Sequence, residues 1–134
     1  KVLNCAKGAA ISSGTKLEIE NYETSFLDLI TNKTLMNLYE ESLKDIGITE
    51  MKDSEDSGST DAGDVSHVCA TIHPYLPLYK DVISHSRELA QCTIEDGAYK
   101  GMEEAVLALT LTGIKILKSE KILDEIKLEF DNRK

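Results

Sequence analysis

The run Gly58-Ser59-Thr60-Asp61-Ala62-Gly63-Asp64-Val65-Ser66-His67, followed by Ile72-His73-Pro74-Tyr75 and by Ser84-His85-Ser86, concentrates the residues able to do chemistry. Glycine lets backbone come close to a ligand, aspartate and serine supply charge and hydrogen bonds, and imidazole supplies metal-ligand or proton-transfer capacity. The mixture is that of an active site rather than a core.

Three chemistries suit parts of this run. Asp53, Glu55, Ser57, Gly58 and Asp64 fall near the ligand positions of a calcium loop, but Thr60 stands where that loop has an aliphatic residue, and Asp64 where it has a bidentate glutamate. A serine nucleophile on a sharp elbow takes glycine on both sides, whereas Gly58-Ser59-Thr60-Asp61 has it on one. His85 lies between two serines in a polar stretch and is a candidate metal ligand. No other histidine stands three or four residues from it. Composition alone therefore reads it as a surface histidine, and a complete site takes its remaining ligands from elsewhere.

The elements that must position these residues are mostly helices. Val2, Leu3, Ala6, Ala9, Ala10 and Ile11 recur at helical spacing, with Gly14 placed for a left-handed cap. Residues 15–20 alternate, Leu17 and Ile19 against Lys16, Glu18 and Glu20, which is the period of a half-exposed strand. Asn32 caps a helix striped by Leu35, Leu38, Tyr39 and Leu43 and stopped at Gly47; residues 49–57 then read as an acidic loop. A buried strand is expected over 67–72, ended by Pro74 and Pro77. Residues 80–99 show no clear period and suit a loop or short helical turns. Met102 to Leu117 is apolar nearly all round, as in a helix covered by a sheet, and Ser119 caps a last helix carrying Ile122, Leu123, Ile126 and Phe130. Helical segments separating strands give the class α/β or α+β.

Composition removes several kinds of function. The 134 residues carry a formal charge of −9 with no cluster of basic side chains, which disfavours nucleic acid as a partner. Nothing approaches the roughly eighteen apolar residues of a membrane-spanning helix or the apolar middle of a signal peptide, so a soluble, cytoplasmic protein is expected. Cys5, Cys69 and Cys92 are odd in number and far apart, which suits reduced thiols acting as small apolar residues. The opening Lys1 stands inside a helix-like pattern, as in a piece of a longer protein.

Taken in order, the Gly58 to Ser66 run, Ile72-His73-Pro74-Tyr75 and Ser84-His85-Ser86 resemble the C-terminal catalytic segment of zinc-dependent metallopeptidases of the aminoacylase and aminobenzoyl-glutamate hydrolase type. The aminoacylase-like amidohydrolases are the nearest branch. Upstream, Gly8, Ala9, Ala10, Gly14 and Leu17-Glu18-Ile19 resemble the last helix and strand of that family's lid domain, and Glu103 through Phe130 resembles its closing helices.

The resemblance implies residues 1–30 as the end of a lid domain and 31–134 as the C-terminal part of a catalytic α/β domain. It implies a two-metal centre in the parent enzyme, the divalent metal being zinc, and amide hydrolysis of N-acyl amino acids, aminobenzoyl-glutamate or dipeptide-like small molecules. His85 matches the last metal ligand, and Gly58, Ser59, Thr60 and Asp61 match the loop beside the site. His73 matches a His-Pro-Tyr that lines the pocket or ends a strand, and Asp61 equally suits a helix cap or turn carboxylate. Asp64 reads as structural, and no role passes to His67. The general base and other ligands belong to the family's N-terminal half, so no catalytic residue is expected in this segment and the isolated chain is expected to be inactive. A homodimer through the lid domain is implied for the parent. The alternative is a small acidic module that binds a cation at the 53–64 loop, or an interaction domain without catalysis.

Overall fold

The Asn32 side chain starts the helix on which the rest of the fold is assembled. In the computed structural model, which describes residues 1–51, 60–75 and 82–133, α1 runs Val2–Ser13, α2 Lys33–Asp45 and α3 Ala62–Ser66. Three more follow: α4 Arg87–Cys92, α5 Asp96–Leu117 and α6 Glu120–Asp131. Asn32 is fully buried; its Oδ1 accepts the Leu35 N–H at 2.9 Å, and its Nδ2 donates to the Ile126 carbonyl of α6 at 3.1 Å. One side chain thus satisfies an orphan donor of α2 and ties that helix to α6.

Helices α2, α5 and α6 pack on one another. Tyr39 and Leu43 of α2 meet Ala108 of α5, with Met36, Ile46, Ile48, Met51 and Ile72 around them. The buried hydroxyls of Ser42 and Thr112 donate back to the Leu38 and Ala108 carbonyls at 3.0 and 2.7 Å, so neither is left unsatisfied. Lys115 closes the edge of the α2–α5 contact by pairing with Asp45 at 2.7 Å.

Several expectations from the sequence change here. Gly14 is left-handed, with φ 67°, and Ser119 caps α6, both as the sequence predicts. Residues 15–20 form no strand. Their alternation is present, but a strand needs a neighbour for its N–H and C=O groups, and this segment has none among the described residues. The strand expected over 67–72 is reduced to one parallel bridge, Thr31 with Thr71, in which the Asn32 N–H reaches the Thr71 carbonyl at 2.9 Å. His67 instead ends α3. Helix α5 starts at Asp96, six residues before the expected Met102. Its first turns contain Gly97 and Gly101, which blur the periodicity.

Helix α1 has no buried residue, and of residues 1–28 only Ala6 and Ala10 are half-covered. The chain exposes 10896 Å². A self-contained globular protein of 14.8 kDa exposes about 7,000 Å². The surface is thus about half as large again as a closed core of this mass leaves.

Candidate functional site

The glycine-rich run divides into two parts with different work. Its second part, α3, is a clamp on residues 27–30. Asp64 Oδ1 accepts the Leu27 N–H at 3.0 Å, and Ser66 Oγ accepts the Ile30 N–H at 2.9 Å while donating to the Gly63 carbonyl at 2.6 Å. His67 Nε2 sits 3.1 Å from the Asp28 carbonyl and 3.3 Å from its carboxylate. Both are acceptors, so the tautomer that fits carries its proton on Nε2. From the other side Arg133 Nη1 donates to the Ile30 carbonyl at 2.9 Å. Its guanidinium lies 5.1 Å from the Phe130 ring centroid, a cation–π distance.

Gly63 explains why this run is rich in small residues. A Cβ there would collide with the Leu27 carbonyl. The close backbone approach that glycine permits is therefore made to the chain's own segment 27–28. The second half of an apparent active-site sequence positions the first.

The first half is Thr60 and Asp61; Gly58 and Ser59 lie outside the described residues, as do Asp53, Glu55 and Ser57 of the calcium-loop alternative. Thr60 Oγ1 accepts the Ala62 N–H at 3.3 Å, a local turn contact. Asp61 precedes α3 but makes no side-chain cap bond, and apart from a long 3.4 Å contact with Thr60 its exposed carboxylate has no partner among the described residues. The helix-cap reading of Asp61 is removed by this geometry, while the turn carboxylate and the active-site loop both stand.

His73 is half-buried, meets Tyr75 edge-on with ring centroids 5.0 Å apart, and has an inaccessible Nδ1 without a partner among the described residues. Buried hydrogen-bonding capacity left unspent is uncommon and asks for a reason. His85 is exposed and is the only non-glycine residue with positive φ among the described residues, at 59°. Ser86, immediately after it, caps α4 by accepting the Leu89 N–H at 3.0 Å. The capped helix fixes the chain right after an unusual backbone turn that carries an exposed histidine. Left-handed backbone at a side-chain-bearing residue is strain of about 1–2 kcal/mol, found preferentially at functional sites.

These residues do not converge into one centre. No hydrogen bond, ion pair or ring contact joins His85 to Asp61 or to His73, and no group of three His, Cys, Asp or Glu side chains among the described residues is arranged to hold a metal ion. His85 therefore offers a single imidazole donor, which does not make a metal site by itself.

Sequence reasoning missed Glu129. Near the end of α6, its two carboxylate oxygens accept the N–H groups of Lys33 and Thr34 at 2.7 and 2.8 Å, filling the open N-terminus of α2. Desolvation pushes its carboxyl upward but is outweighed by the bonds from Thr34 and Lys33 and by the charge of Arg133, which hold it below the ordinary glutamate range. A capping carboxylate from another helix leaves no local pattern, so nothing near Asn32 signals it.

No helix among the described residues is long and apolar enough to cross a membrane. No family model matches the chain. Over 136 aligned residues it is 30% identical to the Xaa-Arg dipeptidase of Mus musculus and 29% identical to that of Homo sapiens. Each alignment covers 97% of this chain but 31% of the relative, so the chain spans about a third of the length of the curated relatives it matches. Distant similarity along nearly the whole chain supports kinship with peptidases and amidohydrolases.

Proposed function

We propose, starting from a dipeptidase-like likeness along nearly the whole chain, that these residues are the C-terminal portion of a metal-dependent hydrolase cleaving the amide bond of dipeptide-like or N-acyl amino acid substrates. The observation that carries the reading is that likeness, which covers 97% of the chain. His85 supports it: its strained backbone and exposed imidazole suit a ligand donated to a centre completed by other parts of a longer polypeptide. When bound, a pair of divalent ions, zinc in this reading, supplies an activated water and polarises the scissile carbonyl. The donor set among the described residues does not hold such a pair, so no step is assigned through it.

The chain's own contributions are positional. His85 donates one imidazole, Thr60 and Asp61 present a hydroxyl and a carboxylate at the start of α3, and His73 keeps unspent hydrogen-bonding capacity. Asp61 suits the cationic end of a substrate such as an Xaa-Arg dipeptide, and the charge of −9 favours the approach of one. The apolar residues exposed over 1–28, among them Val2, Leu3, Ile11, Leu17 and Ile19, suit a lid segment that dimerises in the parent. Three free thiols suit a reducing compartment such as the cytoplasm.

The test is hydrolysis of Xaa-Arg dipeptides and N-acyl amino acids by the longer gene product and by the 134-residue chain, with and without zinc and a chelator. Chelator-sensitive turnover by the longer protein alone is the expected result. Robust metal-dependent turnover by the 134 residues, or none by a zinc-loaded longer protein, sinks it.

A further inference from the structure

Arg133 forms one wall of a small cavity between α3 and the end of α6. The cavity measures about 70 Å³ and is lined by Ile30, Ser66, His67, Phe130 and Arg133. That is several times the roughly 10–15 Å³ one water needs, and far below the roughly 300–1,000 Å³ of a pocket for a drug-sized ligand. The guanidinium is fixed on two sides, by the bond from Nη1 to the Ile30 carbonyl at 2.9 Å and by the Phe130 ring, whose centroid is 5.1 Å away. Its Nε and Nη2 are inaccessible and have no hydrogen-bond partner among the described residues. Two donors of a charged group left buried and unspent are costly and call for an acceptor. Nε–H and Nη2–H point in parallel along one edge of the guanidinium, the edge with which arginine grips a planar carboxylate through two bonds.

We infer that this cavity binds a short aliphatic carboxylate, its two oxygens on Arg133 Nε and Nη2 and its hydrocarbon end against Ile30 and Phe130. No lining residue is acidic. The carboxylates that neighbour the cavity are engaged elsewhere: Glu129, whose charge is felt with that of Arg133, accepts the Lys33 and Thr34 N–H groups, and Asp28 pairs with His67 at 3.3 Å. The Ser66 hydroxyl spends its proton on the Gly63 carbonyl, so anchoring falls to the arginine. A planar anion with one apolar end suits this wall chemistry better than sulfate or phosphate, whose charge points in every direction and would face Ile30 and Phe130. Because neither free nitrogen is open to bulk water, entry takes a shift of a wall side chain, and His67 on that wall is exposed. The inference is independent of the hydrolase reading, since none of Thr60, Asp61, His73 and His85 lines the cavity.

Propionate is the probe, and the arginine itself reports. With nitrogen-15 arginine introduced only into residues 1–134 of the gene product, nuclear magnetic resonance shows two Nε–H signals, Arg133 and the exposed Arg87. Sodium propionate at constant ionic strength should move the Arg133 signal saturably, with a dissociation constant of roughly 1–10 mM for so small a ligand, and leave Arg87 in place. Ile30→Phe, which fills the cavity and spares the fork, should raise that constant at least tenfold. No saturable movement up to roughly 100 mM overturns the inference and assigns the fork to water. An equal response to sodium chloride or sodium sulfate overturns it as well, as does unchanged affinity in Ile30→Phe. An Arg133 signal that coincides with that of Arg87 before any addition also counts against it, because the guanidinium is then not held in place. Hydrolase activity, present or absent, alters none of these outcomes.

Discussion

Glu129 Oε1 accepts the backbone N–H of Lys33 at 2.7 Å across 96 residues of sequence, and its other oxygen takes the N–H of Thr34. The pair joins the end of one helix to the start of another through a charge-assisted bond at the positive end of the α2 dipole. Because the folded carboxyl is held below its ordinary value of 4.5, its contribution to stability is fully present above that pH. It is lost as pH falls through the lower folded value. Glu129→Gln, which keeps the shape but not the charge, should lower stability by about 1–2 kcal/mol at pH 7 and flatten the acid limb of the stability profile. Urea unfolding from pH 7 down to pH 3 measures both, and an unchanged acid limb counts against the clamp.

Asn32 separates capping from burial. Asn32→Ala should lose about 2 kcal/mol, combining the missing cap with an Ile126 carbonyl left without its donor. Asn32→Asp retains the cap acceptor but sets a buried carboxylate against that carbonyl, and should be worse than alanine at pH 7. Thermal denaturation of the two variants gives the order directly.

Gly63→Ala introduces a methyl where the Leu27 carbonyl stands. The expected loss is about 1–3 kcal/mol, and because residues 27–30 are held by α3, limited proteolysis should cut faster near them. If the variant is as stable and as protease-resistant as the parent sequence, the clamp has been misread.

At His85, backbone and side chain make opposite demands. His85→Gly relieves the left-handed strain and should leave stability unchanged or slightly raised. In the longer gene product the same substitution should reduce hydrolysis by more than the 10–100-fold typical of groups that only orient metal ligands, with bound zinc falling below the unsubstituted stoichiometry. Metal analysis alongside the rate distinguishes a lost ligand from a disturbed loop.

The helices bearing their own punctuation were legible in the sequence: Asn32 and Ser119 as side-chain caps and Gly14 as a left-handed stop all act locally. Segments whose structure depends on a neighbour were not. The alternation of residues 15–20 describes what a strand would look like once paired, but contains no pairing. In the candidate site, the small and polar types of Gly63, Asp64 and Ser66 were legible, but not that they meet Leu27 and Ile30, nor that His67, to which the sequence passed no role, reaches Asp28. Residue type reveals capacity, and only the fold reveals what uses it.

The bonds that seal the fold also set when it can be sealed. Asn32 to Ile126, Lys33 to Glu129 and Ile30 to Arg133 span 94, 96 and 103 residues. At roughly 5–20 residues per second on the ribosome, α2 waits several seconds for α6 to be made, with its buried face and its open N-terminus unprotected. The latch closes only when nearly all of these residues have left the exit tunnel, so during synthesis Tyr39 and Leu43 are a natural place for a chaperone to hold this chain.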